Sequence, residues 1–174
     1  MTIKGIDFSR LTLRDALDLA ILVEDEAKER YDEFAEQMEV HHTPEAAKFF
    51  VFMAGNEAKH GADLAERRAQ LFGDQPSVVS RGMLFDVEAP DYDQARAFMT
   101  PHAAMHAALR SEEKAHAFFV AALPAVKDEA VRALFEELRD EEVHHQDLVK
   151  RELAKLPPES GLHPEDFVDE PNAQ

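Results

Sequence analysis

Apolar residues recur along this chain at helical spacing in four long segments. In the first, Leu13, Leu17, Ala20, Ala27, Tyr31, Phe34 and Met38 follow alternating steps of four and three, and the one position of that series that is not apolar is Glu24. Thr12 and Asp15 stand at capping-box-like spacing, so a first helix is predicted from Thr12 to about Val40. Thr43-Pro44 reads as an N-cap followed by proline at the first helical position. The second helix is therefore expected to run to Leu71-Phe72, before Gly73, with Ala46, Phe50, Met53, Glu57, His60, Leu64 and Leu71 along its seam. A third helix should start at Thr100-Pro101 and reach about Leu123, burying Met105, Ala108, Glu112, Ala115, Phe119 and Ala122. The fourth should run from near Asp128 to before Pro157, along Val131, Leu134, Leu138, Glu141, His144 and Leu148.

Residues 74–90 have no helical period and contain Pro, Gly and Ser, as a long crossover between helices 2 and 3 would. A short helix is expected over residues 91–98. The expected organisation is one all-α four-helix bundle over residues 1–156, followed by an acidic tail over residues 157–174.

Composition narrows the partners. A formal charge of -17 opposes approach to nucleic acid or an anionic membrane and favours a cation. With no cysteine in the chain, disulfides, zinc-thiolate sites and iron-sulfur clusters are excluded. No apolar run approaches the roughly 20 residues of a membrane helix, and the first residues do not read as a secretory signal, so a cytoplasmic location is the expectation.

The polar residues inside the seams repeat. Glu24-x-x-Ala27-x-x-x-Tyr31 matches Glu112-x-x-Ala115-x-x-x-Phe119 at an offset of 88, and Glu57-x-x-His60-x-x-Asp63-Leu64 matches Glu141-x-x-His144-x-x-Asp147-Leu148 at an offset of 84. A duplicated helix pair related by a pseudo-twofold axis follows. Ionised carboxylates are too costly to bury alone, so four glutamates on four apolar seams call for cations. Four carboxylates and two imidazoles neutralise two divalent ions, and mixed oxygen and nitrogen donors suit iron or manganese, with zinc also compatible. The expected ligands are Glu24, Glu57, His60, Glu112, Glu141 and His144.

One Glu from each of two helices, with Glu-x-x-His from each of the other two, is the ligand pattern of ferritin-like di-iron and di-manganese bundles. Over residues 12 to 155 the chain resembles the rubrerythrin branch of that ferritin-like superfamily. The resemblance implies bridging carboxylates, although spacing does not say which glutamate bridges. It also implies that the residue before each Glu of a Glu-x-x-His motif supports the opposite histidine, pairing Asp140 with His60 and Asn56 with His144. Tyr31 could hydrogen-bond a ligand carboxylate, whereas Phe119 cannot. Ala115 stands where rubrerythrin proper has an extra glutamate, so metal movement exploiting a seventh carboxylate is not implied. The cysteine-rich electron-transfer domain is missing too, which implies a separate electron donor.

Each Glu-x-x-His alone is a weak signal, and Glu142-His145 and Glu113-His116 share the spacing, but their helical phase is expected to fall beside the seam. Asp63 and Asp147 read as solvent-facing or salt-bridged, and His41, His42, His102, His106 and His163 as surface or capping residues. The leading function is a di-iron oxidoreductase reacting with dioxygen or hydrogen peroxide. Iron handling as a ferroxidase or storage protein, a di-manganese catalase-like enzyme and a metal-free structural bundle are the alternatives. A homodimer is expected from the resemblance, with Phe49, Phe52, Phe118 and Val120 on an outer surface or a second packing layer.

Overall fold

The computed structural model describes residues 2–3, 6–40, 43–80, 82 and 100–158. Four helices account for most of them: α1 (Leu13–Val40), α2 (Pro44–Phe72), α3 (Pro101–Ala122) and α4 (Glu129–Leu153). The chain is an all-α four-helix bundle. Beyond residue 80 the expected crossover, and with it the whole expected helix at 91–98, lies outside the described residues apart from Gly82. So do His41, His42 and the tail from residue 159.

Local chemistry accounts for the helix starts. Thr12 Oγ1 accepts from the Asp15 amide at 3.3 Å, as an N-cap does, and donates to the Asp15 carboxylate at 2.6 Å. Thr100 accepts from the Ala103 amide, and Asp128 from the amides of Ala130 and Val131. Thr43 departs from expectation. Its hydroxyl turns back and donates to the Met38 carbonyl, tying the start of α2 to the end of α1 instead of capping α2. After α3 a 3-10 turn at Leu123–Ala125 leads towards α4.

α1 packs along α2, and α3 along α4. The core divides into two apolar clusters. One gathers Leu17, Val23, Phe119, Leu134 and Phe135, and the other Tyr31, Phe34, Phe50, Met53, Met105 and Val149. The first is closed by an N-terminal feature without a helical signal: β1 (Thr2–Ile3) pairs antiparallel with β2 (Ile6–Asp7), and the following Phe8 is fully buried. Its ring meets Phe118 and Phe135 edge-on, with centroids 5.7 and 6.1 Å away. Phe49 and Phe118 are buried, whereas Phe52 and Val120 are exposed. Leu71, expected on the α2 seam, is exposed as well.

Candidate metal centre

Glu24 of α1, Glu57 of α2 and Glu112 of α3 occupy the seam positions expected for them and are 5%, 2% and 1% exposed, so none is solvated by bulk water. They lie on the same helix faces as the two apolar clusters. Close approach of α1 to α2 helps: a Cβ placed on the buried Gly61 would lie 3.5 Å from the Glu24 Cβ.

On α4 the phase differs from the expected one. Glu142 and His145 are buried, Glu141 is half-buried, and His144 is exposed. An ideal helix explains the shift. Steps of 3.6 residues counted from Val131 fall closest to positions 135, 138, 142, 145 and 149, and Phe135, Leu138, Glu142, His145 and Val149 are indeed buried. Two successive steps of three, from Leu138 to Glu141 to His144, drift off that face. Leu148 is accordingly only partly buried. The inward place expected for His144 is thus corrected to His145, and the duplication of α2 in α4 has an offset of 85.

The same phase removes Asp140 from the interior. It is exposed, and its carboxylate accepts from Arg139 at 2.7 and 2.9 Å, so the expected contact with His60 is corrected too. Glu141 takes that place instead. Asn56, at the equivalent position of α2, is half-buried, and its expected partner His144 is on the surface.

The buried groups converge. His145 Nδ1 lies 3.3 Å from Glu57 Oε1 and 3.3 Å from Glu112 Oε2. His60 Nδ1 lies 4.0 Å from Glu24 Oε2, and the His60 and His145 rings are parallel. Three sets each bring one donor atom per residue within 4.8 Å of one another: Glu24, His60 and Glu141; Glu112, Glu142 and His145; Glu57, His60 and His145. Tyr31 is buried against Phe50, and its hydroxyl has no hydrogen-bond partner. It lines a cavity of about 10 Å³ with Arg30, Ser111 and Glu112.

Electrostatics reflect the crowding of carboxylates. Burial, the strongest influence, pushes the Glu24 carboxyl up to about 7, against a lowering hydrogen bond with Glu57 and the pull of His145. Burial foremost, then the neighbouring Glu137, raises Glu141. For His145 burial alone would lower the pKa, but the Glu112 contact and the charges of Glu24 and Glu141 together raise it. His60, lacking such a contact, is lowered by burial and by His145.

The residues present suit metal ions. Five carboxylates and two imidazoles supply only oxygen and nitrogen donors, and Glu112 Oε1 and His60 Nδ1 are buried without a hydrogen-bond partner. A model of the family described as Rubrerythrin matches residues 15–153. The chain belongs to the rubrerythrin family. This rubrerythrin-family bundle is similar to the crystal structure, at 2.00 Å resolution, of an uncharacterized conserved protein from Magnetospirillum magnetotacticum MS-1. The identity is 28% and the TM-score 0.68, covering 84% of this chain and 97% of the other. No curated protein matches the chain. Among the described residues, no helix is long and apolar enough to cross a membrane.

Proposed function

We propose that the chain binds two metal ions, iron by preference, and acts as an oxidoreductase on dioxygen or hydrogen peroxide. The observation that carries this reading is the set of four carboxylates and one imidazole, each at most 5% exposed, held between two apolar clusters. Family membership supports it.

In this reading Glu24, His60 and Glu141 hold one ion, Glu112, Glu142 and His145 hold the other, and Glu57 stands within reach of both histidines. When bound, the two ions supply redox equivalents and charge stabilisation to the oxidant. The protein contributes position and dryness. Phe119 and Leu134 on one side, with Phe50 and Met53 on the other, keep bulk water from the carboxylates. Tyr31 is suited to donate its phenolic proton to Glu112, whereas Phe119 on α3 has no such group, so the duplicated halves are chemically unequal. Manganese and zinc satisfy the same donor types.

A cleft of about 140 Å³ reaches His60 and Glu141, which suits a small oxidant better than a bulky organic substrate. Electrons would come from a centre outside these 174 residues, which contain no cysteine to hold an iron-sulfur or rubredoxin-type site. The exposed Val51 and Phe52 on α2 support a homodimer. Anaerobic reconstitution with ferrous iron, followed by stopped-flow addition of peroxide or dioxygen, tests the activity. Rapid oxidation of bound iron with turnover under a reductant supports it. Iron that is oxidised once and retained favours storage, and bound iron inert to both oxidants refutes it.

A further inference from the structure

The cluster is not equally accessible from all sides. The apolar clusters close two directions, and the cavity beside Tyr31 and Ser111, at about 10 Å³, holds one water molecule at most. The cleft between α2 and α4, at about 140 Å³, is wide enough for several waters and is lined by His60, Asp63, Arg67, Glu137 and Glu141. Two of these, His60 and Glu141, also lie within donor distance of the buried Glu24. The cleft is thus continuous with the candidate centre through residues that belong to both.

Its mouth is spanned by an ion pair. Arg67 Nη1 of α2 lies 3.3 Å from Glu137 Oε2 of α4, and the side chains are 38% and 57% exposed. A pair so solvated is held weakly and separates at little cost. Asp63, one turn before Arg67, is exposed beside it.

We propose that this cleft is the loading route for divalent cations. Asp63 and Glu137 draw in the hydrated ion, Arg67 competes for Glu137 and restrains entry, and Glu141 with His60 pass the ion to the buried carboxylates. The proposal rests on the reading of the cluster as a metal centre.

The test is stopped-flow loading of the metal-depleted full chain with Co²⁺, followed by its visible absorption, with bound cobalt at equilibrium measured by elemental analysis. Asp63→Asn/Glu137→Gln should slow loading about three- to tenfold at low ionic strength, with the difference shrinking as salt is added. Arg67→Gln should accelerate it, and both variants should reach the wild-type stoichiometry. Glu36→Gln/Glu39→Gln, the same charge change on exposed positions of α1, should load as wild type does. Wild-type stoichiometry with unchanged rates in both cleft variants, or equal slowing in the α1 control, overturns the route while leaving the centre intact. Absence of bound cobalt in the wild-type chain overturns the metal-centre reading and the route with it.

Discussion

The imidazole rings of His60 and His145 lie parallel, their centroids 5.3 Å apart and their planes 7° from coplanar orientation. The two residues come from different helix pairs, and each follows a buried glutamate, Glu57 or Glu142, by three positions. That relation ties α2 to α4 at an offset of 85, beside the 88 that relates Glu24 to Glu112. The two histidines are therefore counterparts across the internal duplication, and the adjacent His144 is not.

Substitution separates the two adjacent histidines. His145→Ala removes a donor that lies near Glu57 and Glu112, and it should lower the metal bound at equilibrium by about tenfold or more in affinity. His144→Ala should leave both affinity and stoichiometry unchanged, because that ring is exposed. Isothermal titration with Co²⁺ or Zn²⁺ measures both, and the opposite ranking would restore the other phase of α4.

Much of this was legible in the pattern of residues. The helices begin within a residue of the positions marked by Thr12, Thr43-Pro44, Thr100-Pro101 and Asp128, because caps and first-turn prolines act locally; at α2 it is Pro44 rather than the Thr43 hydroxyl that marks the start. Glu24, Glu57 and Glu112 were equally readable, each falling in step with the apolar residues of its helix. On α4 the run Asp140-Glu141-Glu142 and the pair His144-His145 offered two registers, and only the continuation of the stripe to Val149 separates them. Counting 3.6-residue steps from Val131 would have found Glu142 and His145. Phe8 carried no such signal, since its burial depends on Phe118 and Phe135, far away in sequence.

The metal-free protein should lose stability as pH rises. The Glu24 carboxyl, at its ordinary 4.5 when unfolded and at about 7 when folded, keeps its proton in the folded chain across that window. Its contribution is complete below 4.5 and is lost as pH climbs to about 7. Glu141 is raised in the same sense, and the raised His145 loses its contribution as pH passes through its folded value. The lowered His60 acts in the opposite direction. Chelator-treated protein should therefore melt higher at about pH 5 than at about pH 8, and saturating metal should reverse the order, because binding requires deprotonated ligands. A metal-free melting temperature that rises over this range would contradict the burial of these carboxylates.

Gly61→Ala tests how α1 and α2 meet beside the centre. The added methyl would sit in ordinary contact with the Glu24 Cβ at 3.5 Å, while the helix gains a better former. Denaturant unfolding should show a gain of about 0.5–1 kcal/mol, with unchanged metal stoichiometry. A loss of stability would mean that the helices approach more closely than described.

Phe8→Ala probes the closed end of the bundle. Removing a fully buried ring that packs on Phe118 and Phe135 should cost about 3–5 kcal/mol. Metal bound per folded chain should stay the same, because the cluster lies between the two apolar layers and away from this cap. A loss of less than about 1 kcal/mol would place Phe8 outside the core.

The central claim is tested most directly by the metal bound per chain after anaerobic reconstitution with ferrous iron and removal of excess, measured by elemental analysis on the wild-type protein and on Glu57→Ala/Glu142→Ala. Two iron ions per wild-type chain are expected, with both lost in the variant. No stoichiometric iron in the wild-type chain, or equal iron in the folded variant, would contradict it.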